Sequence, residues 1–367
     1  MISKACLVGA YQRKLEEIAA RPGIDLTVIV PPAWRDERGT LALERAHTEG
    51  YRLLVEPIAF NGRFHWHYYP RLAARMAETQ PDIVHIDEEP YNLATWHAMR
   101  LARRAGALAL FFTWQNLERR YPPPHAWMER WVLRHAAYGI AGTDEAAAVW
   151  RAKGYRGQMA VIPQFGVDPD IFEPGERPRA DGPFTIGYVG RLVPEKGVDL
   201  LLHALAGLGE YAWRLSLAGD GPQRAALMEL ARELGIAGRV AFEAQMPSTA
   251  MPQHYRRLDA LVLPSRTRHN WKEQFGRVLV EAMASGVPVV GSDSGAIPGV
   301  IGEAGLVFHE DDVDELRAHL ARLLDDRALH RELAGRGRER VLAHFTQAQV
   351  AAQTVAVYQD MVKRAGR

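Results

Sequence analysis

The stretch KEQFGRVLVEAMASGVPVVGSDSG carries two carboxylates, Glu273 and Glu281, with seven residues between them and Gly276 just after the first. If a helix opens near Phe275 or Gly276, its unpaired N–H groups form an anion site of the kind that holds a diphosphate. Glu273 then stands at the mouth of that site. Glu281 lies farther along, up to ~12 Å away at a rise of about 1.5 Å per residue. That span is comparable to the reach of a nucleotide sugar, so one carboxylate could accept hydrogen bonds from pyranose hydroxyls while the other holds a ribose. Flanked by Val278, Leu279, Val280, Ala282 and Met283, Glu281 is expected to be partly buried. There an unpaired carboxylate is costly, and a ligand hydroxyl or a basic neighbour must answer it. The alternative for either residue taken alone is a surface glutamate on a helix whose other faces are core.

A second constellation, GYVGRLVPEKGVDLLLHAL, reads as a strand ending at Gly190, a short loop holding Arg191 and Lys196, and a helix opening near Gly197. Both cations then sit at the strand's C-terminal edge, where open α/β sheets bind ligands. Together they could neutralise a diphosphate leaving group without a metal. A basic loop capping a strand is also a common architectural feature. Downstream, LAGDGPQRAALMELA supplies a tight turn at Gly219, Asp220 and Gly221 before another helix, which reads as architecture.

Loops of this kind need sheets to present them. In the first half the short apolar runs KACLVG, DLTVIV, YRLLVEP, DIVHI, ALALFF, YGIAG and MAVIP alternate with polar or amphipathic segments, the pattern of parallel βαβ units. The alternation breaks at 163–183, rich in proline, glycine and charge, and restarts with TIGYVG, WRLSLAGD, RVAFEA, ALVLPS, VPVVGS and AGLVF, with helices near 196–208, 222–235 and 276–285. The expected class is α/β. Its parts are a Rossmann-like domain over 1–165, an exposed linker over 166–182, a second Rossmann-like domain over 183–345, and a C-terminal helix over 346–367 returning to the first domain.

Composition agrees with this division. At roughly 100–200 residues per domain, 367 residues suggest two cores, and 47% hydrophobic with 24% charged residues is the balance of a folded globular chain. The single cysteine, Cys6, excludes an internal disulfide framework and a cysteine-based zinc cluster and suits a reducing compartment. With no apolar run long enough for a signal peptide or a membrane span, a cytoplasmic location is expected. The first 165 residues hold 21 Lys and Arg against 17 Asp and Glu, and 100–156 hold ten against four, interleaved with Trp114, Trp127 and Trp131. That stretch reads as a solvated helical face with core tryptophans. Peripheral contact with an anionic membrane through this basic domain is the alternative.

Taken together, GRLVPEKG, LAGDGP, LVLPSRTRHNWKEQFGRVLVEAMASGVPVVGSDSG and the linker's FGVDPDIF resemble glycosyltransferase family four, the glycosyl transferases of group 1. The resemblance spans nearly the whole chain and is strongest from Gly190 to Gly295. It implies the GT-B fold of two facing Rossmann-like domains. It also implies a retaining, metal-independent transfer of a sugar from a nucleotide-diphosphate donor to a hydroxyl acceptor: a glycan, a lipid-linked sugar or a small molecule. By resemblance Arg191 and Lys196 are donor-diphosphate ligands, Glu273 touches the donor sugar and Glu281 the ribose. Gly9, Gly190 and the backbone of Gln274, Phe275 and Gly276 line the donor. The implied mechanism is attack by the acceptor hydroxyl on the face the phosphate leaves, with the phosphate taking the proton. No cofactor and no metal are expected, and no nucleic-acid partner.

Several positions depart from the family's pattern. Gln274 replaces the glycine of Glu-Gly-Phe-Gly, the N-terminal glycine-rich loop is reduced to Gly9, Gln115 stands where a histidine is usual, and Gly299 replaces a glutamate. For the acceptor, His85, Asp87, Glu88 and Glu89 follow a strand and could orient a hydroxyl, Gln115 can hydrogen-bond one, and His65 to Tyr69 could stack on a ring. Solvated carboxylates and packing aromatics are the alternatives. Asp168-Pro169-Asp170 and Asp312-Val313-Asp314 imitate a metal-binding aspartate pair, but a turn and a helix cap explain them. Two other functions fit the same motifs, a GT-B nucleotide-sugar epimerase and a catalytically silent nucleotide-sugar-binding protein. A dinucleotide-dependent dehydrogenase does not, because no Gly-X-Gly-X-X-Gly follows the first strand.

Overall fold

The computed structural model describes residues 1–36, 39–175 and 182–366, so residues 176–181 of the expected linker lie outside the described residues. The chain divides into two compact units, Met1–Gly166 with Gln347–Arg367, and Val167–Thr346.

In the first unit, strands Ile83–Ile86, Leu108–Thr113, Tyr138–Ala141 and Gln158–Val161 pair in that order, all parallel. Strand Thr27–Val30 pairs parallel with Arg52–Val55. Ile2 joins the two sets, bridging to Ile29 on one side and Ile86 on the other. The first strand is therefore one bridged residue, and the expected strand KACLVG is instead two 3-10 turns, Ala5–Leu7 and Gly9–Gln12. A short apolar run does not by itself distinguish a strand from a buried turn, and here Cys6 and Leu7 are adjacent and both fully buried. An antiparallel pair, Ala33–Asp36 with Gly39–Ala42, is also present. It was not legible in the charge-rich WRDERGTLAL. Helix Gln347–Arg364 belongs to this unit because Val350, Ala351, Val355, Tyr358 and Met361 share a core with Leu15 and Ile18 of helix Arg13–Ala19. The i, i+3 and i, i+4 spacings of those apolar residues put them on one stripe.

The second unit is a six-stranded parallel sheet in the order Val240–Glu243, Trp213–Ala218, Phe184–Val189, Ala260–Leu263, Val289–Ser292, Leu306–Phe308. Its central strands are nearly continuous apolar runs, as expected where helices cover both faces. The chain order reverses between Phe184–Val189 and Ala260–Leu263, so the crevice beyond their C-terminal ends is the topological switch point where such sheets bind ligands. Val167 and Phe172, in the stretch read as an exposed linker, are buried in this unit's core. Their apolar side chains outweigh the proline and glycine around them.

Candidate functional site

The residues at the second unit's switch point come from three loops pinned to one another. Lys196 ends a 3-10 turn, Pro194–Lys196, that follows the central strand. Gly197 comes next at φ 63°, and a Cβ there would fall on the carbonyl oxygen of Pro264. The Arg266 N–H donates to the Glu195 carbonyl at 2.8 Å, and the Arg266 guanidinium grips Asp199 with two bonds of 2.8 Å. The third loop packs equally closely: Ala296 N–H donates to the Glu273 carbonyl at 3.1 Å, and Gly295, at φ 55°, leaves room for that carbonyl. Only glycine combines this backbone with such close approach.

Lys196 Nζ consequently lies 2.5 Å from Glu273 Oε2, which also accepts from Ser265 Oγ at 3.0 Å. The same ammonium stands 4.9 Å from the centre of the Trp271 ring. Helix Arg277–Ala284 starts at Gly276, φ 77°, with no side-chain cap bond, so its N-terminus keeps its positive end toward the loop that carries Glu273. Arg191 is exposed beside Gly190, and its carbonyl accepts from the buried Tyr188 hydroxyl at 2.7 Å. Gln274 is exposed, while Phe275 packs edge-on against Phe345 at 5.8 Å.

Glu281 sits one turn into that helix, buried, with both oxygens answered by protein groups: Arg277 Nε at 2.7 Å and Tyr255 OH at 2.8 Å. Burial and the adjacent carboxylate push the Tyr255 hydroxyl far above its ordinary range, so it stays a donor. Both aspartate decoys are local: Asp168 Oδ1 accepts from Asp170 N–H at 3.0 Å, and Asp312 caps its helix through Glu315 N–H at 2.8 Å.

In the first unit the expected residues separate. Gly9 N–H donates to Glu44 Oε2 at 2.6 Å and the residue packs against the Ala46 methyl, which gives this glycine a packing role. His85 lies within its strand rather than after it. It is buried with Nδ1 2.7 Å from Tyr358 OH, and burial holds its pKa well below the ordinary range. It faces the C-terminal helix from within the strand rather than from a loop after it. Gln115 is buried with its amide donating to the Leu117 carbonyl at 2.8 Å, closing its own loop.

Asp87 and Glu88 are buried and Glu89 half-buried, and all three are bonded, against the alternative that they are solvated charges. Asp87 Oδ2 accepts from Ser3 Oγ at 2.6 Å, Glu88 pairs with Lys4 at 2.5 Å, and Glu89 accepts from Thr113 Oγ1 and Trp114 N–H at 2.6 and 2.8 Å. Burial opposes ionisation of Glu88, but Lys4 and His67 outweigh it and bring its pKa down to about 2; burial pushes Glu89 up to about 7. Lys4 was missed because one lysine near the start of a chain carries no spacing signal. The tryptophans of the basic stretch also differ from expectation, Trp127 being 49% exposed. Among the described residues, no group of three or more His, Cys, Asp or Glu is placed to hold a metal ion, and no helix is long and apolar enough to cross a membrane.

Two family profiles together cover nearly the whole chain: Glycosyl transferases group 1 matches residues 171–340 and Glycosyltransferase Family 4 matches residues 9–171. The chain belongs to the group 1 glycosyl transferases. This family member is 36% identical over 188 residues to a GDP-mannose-dependent alpha-(1-6)-phosphatidylinositol monomannoside mannosyltransferase of Mycolicibacterium smegmatis, covering 47% of this chain and 49% of that one. A D-inositol 3-phosphate glycosyltransferase of Mycobacterium marinum is 30% identical over 310 residues, 79% of this chain and 59% of that one. The chain spans about half the length of the curated relatives it matches first. Among solved structures, Anabaena HepE in complex with UDP superposes with a TM-score of 0.73 at 19% identity, covering 98% of each chain. At that identity the likeness establishes the fold of this group 1 family member, an α/β chain of the GT-B class.

Proposed function

We propose that this chain is a retaining, metal-independent glycosyltransferase that moves a sugar from a nucleotide-diphosphate donor to a hydroxyl acceptor. One observation carries the reading: a cation and a carboxylate, Lys196 and Glu273, meet at the C-terminal switch point beside the N-terminus of helix Arg277–Ala284. A diphosphate draws Lys196 and the exposed Arg191, and Glu273 then accepts hydrogen bonds from the sugar. Glu281, held by Tyr255 and Arg277, shares its outer lone pairs with the ribose hydroxyls.

As the bond between the anomeric carbon and the phosphate oxygen breaks, its electron pair goes to the diphosphate, whose growing charge meets the two cations. The acceptor oxygen bonds to the oxocarbenium-like carbon on the same face and its proton passes to the leaving phosphate, so configuration is retained. A cytoplasmic location suits the single cysteine. Contact with an anionic membrane is part of this reading. Helices Leu93–Arg104 and His125–His135 pack Arg100 over Trp96 at 4.6 Å and Trp96 against Trp127 at 5.4 Å, and their one acid, Glu129, is buried against Lys153.

The test is a metal-free thermal-shift series of UDP, GDP, ADP and dTDP with their sugar conjugates, followed by NMR of the product anomer. One nucleotide series raises the melting temperature by mass action, and the product keeps the donor's anomeric configuration. An inverted product sinks the retaining mechanism; no nucleotide binding at millimolar concentration sinks the whole reading.

A further inference from the structure

One neighbour of the Lys196 ammonium has no task in the proposed transfer. Besides Glu273 Oε2 at 2.5 Å, Lys196 Nζ has the centre of the Trp271 ring at 4.9 Å. That is inside the ~6 Å over which a ring's quadrupole attracts a cation, and indole attracts more strongly than the rings of Tyr or Phe. An ammonium carries three N–H donors, so facing a ring and a carboxylate together leaves it able to meet an anion as well.

The backbone fixes the ring in that place. Arg268 N–H donates to the Trp271 carbonyl at 2.6 Å and Trp271 N–H returns to the Arg268 carbonyl at 3.2 Å, closing the turn 268–271 with His269 and Asn270 exposed at its tip. Before the turn, the Arg266 guanidinium holds Asp199 by two bonds of 2.8 Å and Asp311 by one of 2.6 Å, and Thr267 Oγ1 lies 3.0 Å from Ser294 Oγ. After it, the Glu273 carbonyl accepts from Ala296 N–H at 3.1 Å. Trp271 is therefore carried on a segment tied down at both ends, and its side chain is half-buried. A side chain already ordered in this way gives up little further freedom in holding a partner.

The two contacts of Lys196 differ in what an incoming diphosphate does to them. Glu273 is charged, so the diphosphate competes with it for the ammonium and the contact is exchanged. The indole carries no net charge. Its attraction for the ammonium persists beside the anion, and the anion has nothing to displace. A lysine ends a flexible four-carbon stem in a point charge, and once its carboxylate has gone that stem is free to swing unless something else holds it.

We infer that Trp271 is a positioning residue for the proposed transfer: its indole face keeps the Lys196 ammonium directed at the donor diphosphate after Glu273 has turned to the sugar. This rests on the glycosyl-transfer reading and adds to it a residue that acts through Lys196 rather than on the donor.

The test is calorimetric titration of the full chain with the nucleoside diphosphate that the thermal-shift series selects. Trp271→Leu is expected to weaken binding about 3- to 30-fold, the span of a cation–π contact from exposed to desolvated, and Trp271→Phe, which keeps a weaker ring face, to fall between Trp271→Leu and the parent. A merely structural tryptophan costs the same whatever stands at 196 and 273. A positioning one is coupled to them: Trp271→Leu should cost less than about twofold in a Lys196→Ala background, and more than in the parent in a Glu273→Gln background, where the carboxylate no longer shares the hold on the ammonium. If Lys196→Ala binds too weakly to titrate, the Glu273→Gln background decides. No loss in Trp271→Leu, equal losses in all backgrounds, or Trp271→Phe as weak as Trp271→Leu overturns the inference while the glycosyl-transfer reading stands. A parent chain that binds no nucleoside diphosphate overturns that reading and the inference with it.

Discussion

Lys196 Nζ and Glu273 Oε2 meet at 2.5 Å although 77 positions separate them in the chain. Without a donor the two charges neutralise each other, Lys196 being 19% and Glu273 10% exposed at the side chain. In the proposed reaction a diphosphate competes with Glu273 for Lys196, and in doing so frees the carboxylate for the sugar. Lys196→Ala and Glu273→Gln are each expected to lower kcat/KM by about 100-fold or more, the scale of losing one preorganised electrostatic contact. The double variant should lose less than the product of the two, because the residues act as a unit. Steady-state kinetics of the three variants checks this, and full additivity counts against the coupling.

Glu281 depends on Tyr255 for one of its two partners. Tyr255→Phe leaves a buried carboxylate oxygen unanswered at a cost of about 1–3 kcal/mol, which lowers the melting temperature by roughly 2–4 °C per kcal/mol in a unit of this size. Donor affinity should fall as the carboxylate reorients. Thermal melts with and without nucleotide separate the two effects, and a variant melting like the parent sinks the role given to Tyr255.

Gly197 holds the Lys196 loop by close approach. At φ 63° with the Pro264 carbonyl in the path of a Cβ, Gly197→Ala is expected to cost more than about 1 kcal/mol and to displace Lys196. Nucleotide affinity then drops with stability. Gly299→Ala is the control, since nothing lies within 4 Å of a Cβ placed there. Equal behaviour of the two variants would falsify the steric account.

Glu89 makes stability depend on pH. Burial raises its pKa from 4.5 to about 7, so between those values the folded chain holds a proton that the unfolded chain has released. Its contribution to stability is complete below about 4.5 and is lost as pH rises through about 7. Between about pH 4.5 and about pH 7 the parent's melting temperature should fall more steeply with rising pH than that of Glu89→Gln. Parallel slopes in buffered melts would show that Glu89 does not carry this dependence.

The proposed membrane contact gives a prediction independent of chemistry. Arg100→Glu with Arg103→Glu should abolish co-sedimentation with phosphatidylglycerol vesicles while the nucleotide-induced melting shift persists, because the change lies on helix Leu93–Arg104 of the first unit and the proposed donor loops lie in the second. Binding that survives both substitutions removes the membrane reading.

What the sequence determined by itself was periodic or local. Alternating apolar runs and amphipathic helices are written residue by residue, so the two α/β units, their parallel strands from Thr27–Val30 to Leu306–Phe308 and the loops bearing Arg191, Lys196 and Glu273 could be read directly, the antiparallel pair Ala33–Asp36 and Gly39–Ala42 excepted. KACLVG was misplaced because a run that short is equally a buried turn, and only pairing with Ile29 and Ile86 shows that Ile2 alone bridges the sheet.

The tertiary structure decided the partners. Tyr255 reaches Glu281 across 26 positions, Lys4 reaches Glu88 across 84 and His85 reaches Tyr358 across 273. A charge's protonation and availability depend on what faces it in space, and burial converts a run of three acids from solvated charge into a bonded cluster. Side-chain identity sets what a group can do, but only packing sets whether it is turned toward a ligand or toward the protein's own groups.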